Sequence, residues 1–403
     1  MKLGAGVHLT YCSNIHPGES WAEVRANLGR FVPAVRARVA PDEPFGVGLR
    51  LSARAADELW APAALAELRA FLARERLYVF TINGFPYGTF HGTRVKEEVY
   101  LPDWRDAERL RYTNRLADLL AALLPGDPSA EGLEGSVSTV PGAFKPALGG
   151  RADVERMVEH LLQHVAHLVA LRARTGRVVT LALEPEPHCF LETTAEAAAF
   201  FADELFAPAA VERLATLAGL TPAEAAQALH RHLGLCLDLC HAAVEFEDAA
   251  ASLAALDAAG IRIAKIQVSC GLRLPTLDAE SLAALRQFDD PVYLHQVVQR
   301  AATGGMTRFV DLAAAFDAPP DPNAGHEWRV HFHVPVFLER VPPFASTQPF
   351  VRDVLARQRA QPLTPHLEVE TYTWNVLPAA LRTDSVDAAI ARELAWVRRE
   401  LAP

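Results

Sequence analysis

TLALEPEP (180–187), LCLDLCHAA (235–243) and HLEVETYTW (366–374) decide the fold of this chain. Each is a short apolar run that ends in a residue able to bind a metal. IAKIQVSCG (263–271) and WRVHFHVPVF (328–337) have the same form. Side chains from several strand ends can meet only if the strands lie side by side with like ends together. A parallel β/α barrel arranges them so, and its chemistry sits at the C-terminal rim of the strands.

Further strand-like runs lie upstream: GVHLTYCSN (6–14), FGVGLRLS (45–52), LYVFTINGFP (77–86) and EGSVSTVPG (134–142). They are strands one to four. The runs ending at Glu184, Asp238 and Gln267 are five, six and seven, and HLEVETYTW is eight. Helical patterns separate them. From Arg151 to Thr175, residues Val154, Met157, Val158, Leu161, Leu162, Val165 and Leu168 recur at helical spacing, and Gly176 ends the run. Thr193 or Thr194 caps TAEAAAFFADELF. Alternation of this kind predicts a parallel sheet. Eight units predict a TIM (β/α)8 barrel, one domain over 1–403. A minimal barrel needs about 250 residues, so the surplus is assigned to loops at 87–133, 205–230 and above all 271–365. The last region holds the Pro/Asp-rich DAPPDPNAGHEW (317–328) and WRVHFHVPVF, and is expected to roof the catalytic face.

Composition narrows the function classes. Half of the 403 residues are hydrophobic, with 19 Phe and 6 Trp, enough for a large core. The net charge is −10, and the only lysines are Lys2, Lys96, Lys145 and Lys265. No basic surface for nucleic acid is expected. The N-terminus lacks signal-peptide character, and no apolar run reaches the ~18 residues of a membrane span. The five cysteines form no CxxC pair; free buried thiols in a reducing cytoplasm are the reading.

Strand parity places the candidate site. In LCLDLC, Leu235, Leu237 and Leu239 share one face, and Cys236, Asp238 and Cys240 the other. In TLALEPEP, Leu181 and Leu183 oppose Ala182, Glu184 and Glu186; in HLEVET, Leu367 and Val369 oppose His366, Glu368 and Glu370. Barrel strands turn the apolar face out to the helices, so these carboxylates point inward near the mouth. Asp238 and His241 can reach one ion, and an oxygen–imidazole set suits Zn²⁺, Mn²⁺ or Fe²⁺, with Mg²⁺ as a further candidate. The alternative is an Asp238 that caps the next helix with His241 hydrogen-bonded nearby. Glu184 needs a buried partner, whether arginine or metal. Glu370, nearer the rim than Glu368, is preferred as the ligand. Gln267 is a weak ligand type that can equally hydrogen-bond substrate. His331 and His333 alternate on one strand and so share a face, as a metal pair or as core histidines. His160, His164 and His167 form a mid-helix stripe read as a packing or solvated surface. His8, Asn14 and His16 around the first strand, Asn83 and His91 in NGFPYGTFHG (83–92), and Glu186 and Glu368 are candidate substrate contacts.

These motifs resemble the xylose-isomerase-like barrel superfamily, which includes sugar epimerases and endonuclease-IV-type enzymes. LCLDLCHAA is similar to the LDTCHA-type motif of the latter, whose Asp and His bind metal. The resemblance implies Glu184, Asp238, His241 and Glu370 as ligands, and places His331 and His333 where an Asp-x-His pair often sits. The chain departs from the pattern at Gln267, where a His is usual. HLTYCSNIHPGESW (8–21), NGFPYGTFHG, VHFHVPVF (330–337) and HLEVETYTWNVLP (366–378) also resemble EboE, the barrel family of the ebo "metabolite traffic" cluster. That resemblance implies a cytoplasmic protein that handles a secondary-metabolite precursor beside other ebo-cluster proteins.

Three activities fit these readings. One is a metal-dependent isomerase or epimerase of a small polyol, sugar or metabolite precursor, with Glu184 and Glu370 exchanging the proton. A second is a metabolite carrier that returns its ligand unchanged. The third is a metal-dependent phosphoesterase acting on a small ester.

Overall fold

Alternation along the strands separates an inner from an outer face, and the backbone closes around it. The computed structural model describes residues 1–92, 94–126, 132–318, 325–382 and 384–402. The central strands are β1 (His8–Tyr11), β2 (Phe45–Arg50), β3 (Leu77–Asn83), β4 (Gly135–Thr139), β5 (Val179–Leu183), β6 (Leu233–Asp238) and β7 (Ile263–Val268). A second group comprises β8 (Cys270–Leu274), β9 (Val297–Arg300), β10 (Met306–Phe309), β11 (Glu327–Val334), β12 (Arg340–Val341) and β13 (Phe344–Ser346). β14 (His366–Val369) returns to the centre. The eight-stranded sheet runs in the order β1-β14-β7-β6-β5-β4-β3-β2, every pair parallel.

Closure between β1 and β2 rests on a Cys12–Gly48 bridge and on Thr10. The Thr10 hydroxyl donates to Gly46 O at 2.7 Å and accepts from Gly48 N at 3.2 Å. Gly48 is obligatory at this seam. A Cβ there would lie 1.8 Å from Glu368 Oε1 and 2.7 Å from the Tyr11 carbonyl. The architecture is thus the expected TIM barrel.

Outward residues such as Leu181, Leu183, Leu235 and Leu237 join the main core under the surrounding helices. Inward Ala182, Cys236 and Ala264 form their own small cluster. The helix Arg151–Thr175 is as expected, stopped by Gly176 at φ 71°. His160, His164 and His167 do pack: they bond Trp104 O, Asn114 and Asp118 of the neighbouring barrel segment. All five cysteines are free and buried.

The surplus is more ordered than loops. Residues 205–230 hold helices Pro208–Ala218 and most of Pro222–His232, and 87–133 contains the barrel helix Ala107–Leu123. The 271–365 region is two things. β8 starts two residues after β7 ends and leads an antiparallel six-stranded sheet, β10-β9-β11-β8-β13-β12. The helix Gln348–Ala360 then packs beside Val386–Glu400 and closes the seventh β/α unit. The insertion proper therefore ends before Gln348. Residues 93, 127–131 and 319–324, the last within DAPPDPNAGHEW, lie outside the described residues. Among the described residues, no helix is long and apolar enough to cross a membrane.

Candidate metal centre and active site

Asp238 caps a helix and is also a candidate site residue. Its Oδ1 accepts from Cys240 N (2.8 Å), His241 N (3.0 Å) and the Ser269 hydroxyl (2.7 Å). That satisfies the start of the helix Leu239–Val244. Its Oδ2 makes no hydrogen bond and faces His241 Nε2 at 3.8 Å and His333 Nε2 at 4.0 Å. The two readings of Asp238 are not exclusive, because one carboxylate oxygen caps the helix and leaves the other without a hydrogen bond.

Three imidazoles converge with fixed orientation. His241 Nδ1 donates to Pro185 O at 2.9 Å and His333 Nδ1 to Glu370 O at 2.8 Å. His331 Nδ1 lies 2.7 Å from Gln296 Oε1. Gln296 Nε2 points at Tyr100 Oη, Glu186 Oε1 and Pro187 O, all acceptors, so its oxygen must face His331. Each ring therefore carries its proton on Nδ1 and offers the Nε2 lone pair, the arrangement that orients metal-binding histidines. His241 Nε2 and His331 Nε2 stand 3.1 Å apart. Two lone pairs that close repel unless a proton or a cation lies between them. His333 Nε2 has no partner.

The carboxylates complete the mouth. Glu184, Asp238 and Glu370 form one group whose ligand atoms lie within 4.8 Å of one another, and Asp238, His241 and His333 form another. Cys240, His331 and His333 make a third such group. Glu184 Oε2 is buried without a partner. Glu370 Oε1 accepts from Asn14 Nδ2 (2.7 Å) and Asn83 Nδ2 (2.8 Å). Burial and the Asp238 charge push the Glu184 carboxyl up to about 7. Burial and the Glu184 charge push Glu370 well above the carboxylate range. Burial opposes protonation of His241, but Asp238, Glu186 and Glu184 outweigh it and raise its pKa; His331 is pushed well down by burial and by His241. The donor set, with buried lone pairs left over on Glu184, Asp238 and His333, fits a divalent cation of the zinc, manganese or iron kind.

These groups border a cavity of about 520 Å³ of empty space, part of it open to solvent, lined by Asn14, Asn83, Glu184, Glu186, His241, His331 and Glu370 on its polar side. Glu186 is held by Tyr100 Oη at 2.7 Å. Aromatic rings roof it: Phe90, Tyr293 and Tyr372 meet pairwise at 5.2–5.3 Å.

Other expected site residues lie elsewhere. His8 begins β1 at the opposite, N-terminal end of the barrel, bonded to Tyr78 Oη at 2.8 Å. Glu368 lies inside the barrel, fully buried against Lys265 Nζ at 2.5 Å. Neither lines the mouth cavity. His16 stacks on Phe31 and contacts Tyr11 Oη. His91 holds the Asn14 carbonyl at 2.7 Å, and so supports the mouth loop from behind. Gln267 is inward, in register between Asp238 and Glu368, with both amide atoms buried and unpartnered. Residues not expected from sequence include Tyr100, Tyr293, Tyr372, Lys96 and Gln296. Only Tyr372 sat within a quoted motif; Tyr293 and Gln296 come from the insertion, where no periodicity marks them.

The sequence matches no family model and no curated protein. Among solved structures, the chain is similar to the probable 3-DHS dehydratase AsbF from Bacillus anthracis (12% identity, TM-score 0.44, covering 97% of this chain and 99% of that one). It is also similar to the IolI protein with a bound zinc atom (11%, 0.44, 98% and 98%). A third is the 3-keto-D-glucoside 4-epimerase YcjR from E. coli (14%, 0.43, 98% and 99%). The barrel itself is established by strand order and closure, independently of these likenesses.

Proposed function

We propose that this protein is a divalent-metal-dependent isomerase or epimerase of a small hydroxy-carbonyl metabolite. The observation that carries the reading is the convergence of unpartnered buried acceptors, Glu184 Oε2, Asp238 Oδ2 and His333 Nε2, at the barrel mouth. Glu184, Asp238, Glu370, His241 and His333 would hold the ion, with His331 and Gln267 beside them. When bound, the cation polarises a substrate carbonyl and its neighbouring hydroxyl. Glu184 and Glu370 face the cavity and move the proton between carbon and carboxyl. Asn14 and Asn83 clamp one oxygen of Glu370, which leaves the other free for that transfer. Glu186, oriented by Tyr100, binds a substrate hydroxyl. The aromatic roof excludes water, which strengthens each of these interactions.

The EboE resemblance adds a setting to the same proposal: a cytoplasmic protein of one barrel domain, passing a secondary-metabolite precursor along with ebo-cluster partners. One observation favours phosphoester hydrolysis as a second reading. Asp238 belongs to both the carboxylate and the imidazole group, as a residue shared by two ions would.

Elemental analysis of the purified protein, with anomalous scattering to locate the ion, tests the site. Stoichiometric Zn, Mn or Fe at Glu184, Asp238 and Glu370 is expected. Exchange of a substrate C–H with deuterated water then separates isomerisation from release of phosphate. A protein that takes up no metal on reloading overturns the reading and leaves a metabolite carrier.

A further inference from the structure

We propose that the substrate is uncharged, carries its oxygens along one edge only, and has an apolar, ring-sized body on the other. This rests on reading the mouth as a hydroxy-carbonyl isomerase site. Two sets of residues line the cavity. The polar groups named above come from β11 and from the residues at or just after the C-terminal ends of β1, β3, β5, β6 and β14. Phe85, Pro86, Phe90, Val95 and Val99, from the segment after β3, and Leu294, from the insertion, form a second, apolar set.

The few polar atoms beside that apolar set are committed. The Tyr100 hydroxyl lies between Glu186 and Gln296. Lys96 is the only Lys or Arg among the described lining residues, and its Nζ is held by Asp311 Oδ2 at 2.7 Å and Asp290 O at 3.2 Å. A phosphorylated substrate would meet no free cation there and would face Glu184, Glu186 and Glu370 across the cavity. A sugar hydroxylated at every carbon would bury hydroxyls against Phe85, Val95 and Leu294 without partners, which is unfavourable. An apolar body removes both penalties and gains by burial.

The test uses the wild-type protein loaded with Zn²⁺ and three matched ketones: hydroxyacetone, 2-hydroxy-1-phenylethanone and dihydroxyacetone phosphate. They share the CO–CH2OH unit and differ only in the group opposite it. Calorimetry is expected to show the phenyl compound binding at least about tenfold tighter than hydroxyacetone, the scale of burying a ring. The phosphate should bind no tighter than hydroxyacetone. Equal binding of the first two, preference for the phosphate, or binding of none overturns the proposal. Deuterium uptake at the CH2OH carbon, followed by NMR, reports the chemistry separately. Phenyl preference without uptake supports this inference and sinks the isomerase reading. Uptake without phenyl preference does the reverse.

Discussion

Glu184→Gln should stabilise the metal-free protein above neutral pH, although it removes a site residue. In the folded chain burial and Asp238 hold this carboxyl at about 7, against an ordinary 4.5. That difference corresponds to about 3 kcal/mol. The folded state keeps the proton longer than the unfolded one. The stabilisation it brings is complete below 4.5 and is lost as pH rises through 7. Wild type at pH 8 therefore carries the whole penalty of a buried carboxylate near Asp238, and at pH 5 only a minor part of it. An amide has no such dependence. Urea unfolding of chelator-treated wild type and Glu184→Gln at pH 5 and pH 8 measures the difference. The variant's advantage should grow by about 2–3 kcal/mol between the two. Adding Zn²⁺ at about 100 times its Kd should stabilise wild type by about 2.7 kcal/mol and the variant far less, which reverses the ranking. Parallel pH profiles for the two proteins would refute the reasoning, because they would mean that Glu184 is not a buried, charge-strained carboxyl.

Further substitutions probe other parts of the argument. Asp238→Asn keeps an oxygen for the Cys240 and Ser269 contacts and should leave the circular dichroism spectrum unchanged, while elemental analysis finds the metal lost. Lys265→Met strands the Glu368 carboxylate inside the barrel and should cost about 3–5 kcal/mol in denaturant unfolding, with much of it restored by adding Glu368→Gln. Gly48→Ala forces a methyl into Glu368 and the Tyr11 carbonyl at the barrel seam. It should lower stability by about 3 kcal/mol or more, or abolish soluble expression, whereas alanine at the solvent-exposed Gly88 should do neither.

Much of the candidate site was legible because a strand has a period of two. Parity put Glu184, Asp238 and Glu370 on the inner face, and their places at the ends of apolar runs put them at the rim. The alternation of His331 and His333 likewise predicted a shared direction, and both meet His241, with His333 also facing Asp238. Parity does not report height within the barrel. Glu368 is inward as expected, yet it is bound by Lys265 below the mouth, and His8, a candidate substrate contact, lies at the floor. Helical segments at 205–230 were missed as such, because a loop was inferred from surplus length alone.

Sequence by itself determined the strand–helix alternation, the sidedness of each strand and the placing of metal-ligand residue types at the strand ends, since these depend on local periodicity and residue type. Only the tertiary structure decided which of those ends meet. It also decided how the insertion brings His331, His333, Gln296 and Tyr293 over the barrel, and which buried lone pairs remain without a partner. Those are distances between residues up to hundreds of positions apart, and they arise from barrel closure and the packing of the second sheet, which no local pattern encodes.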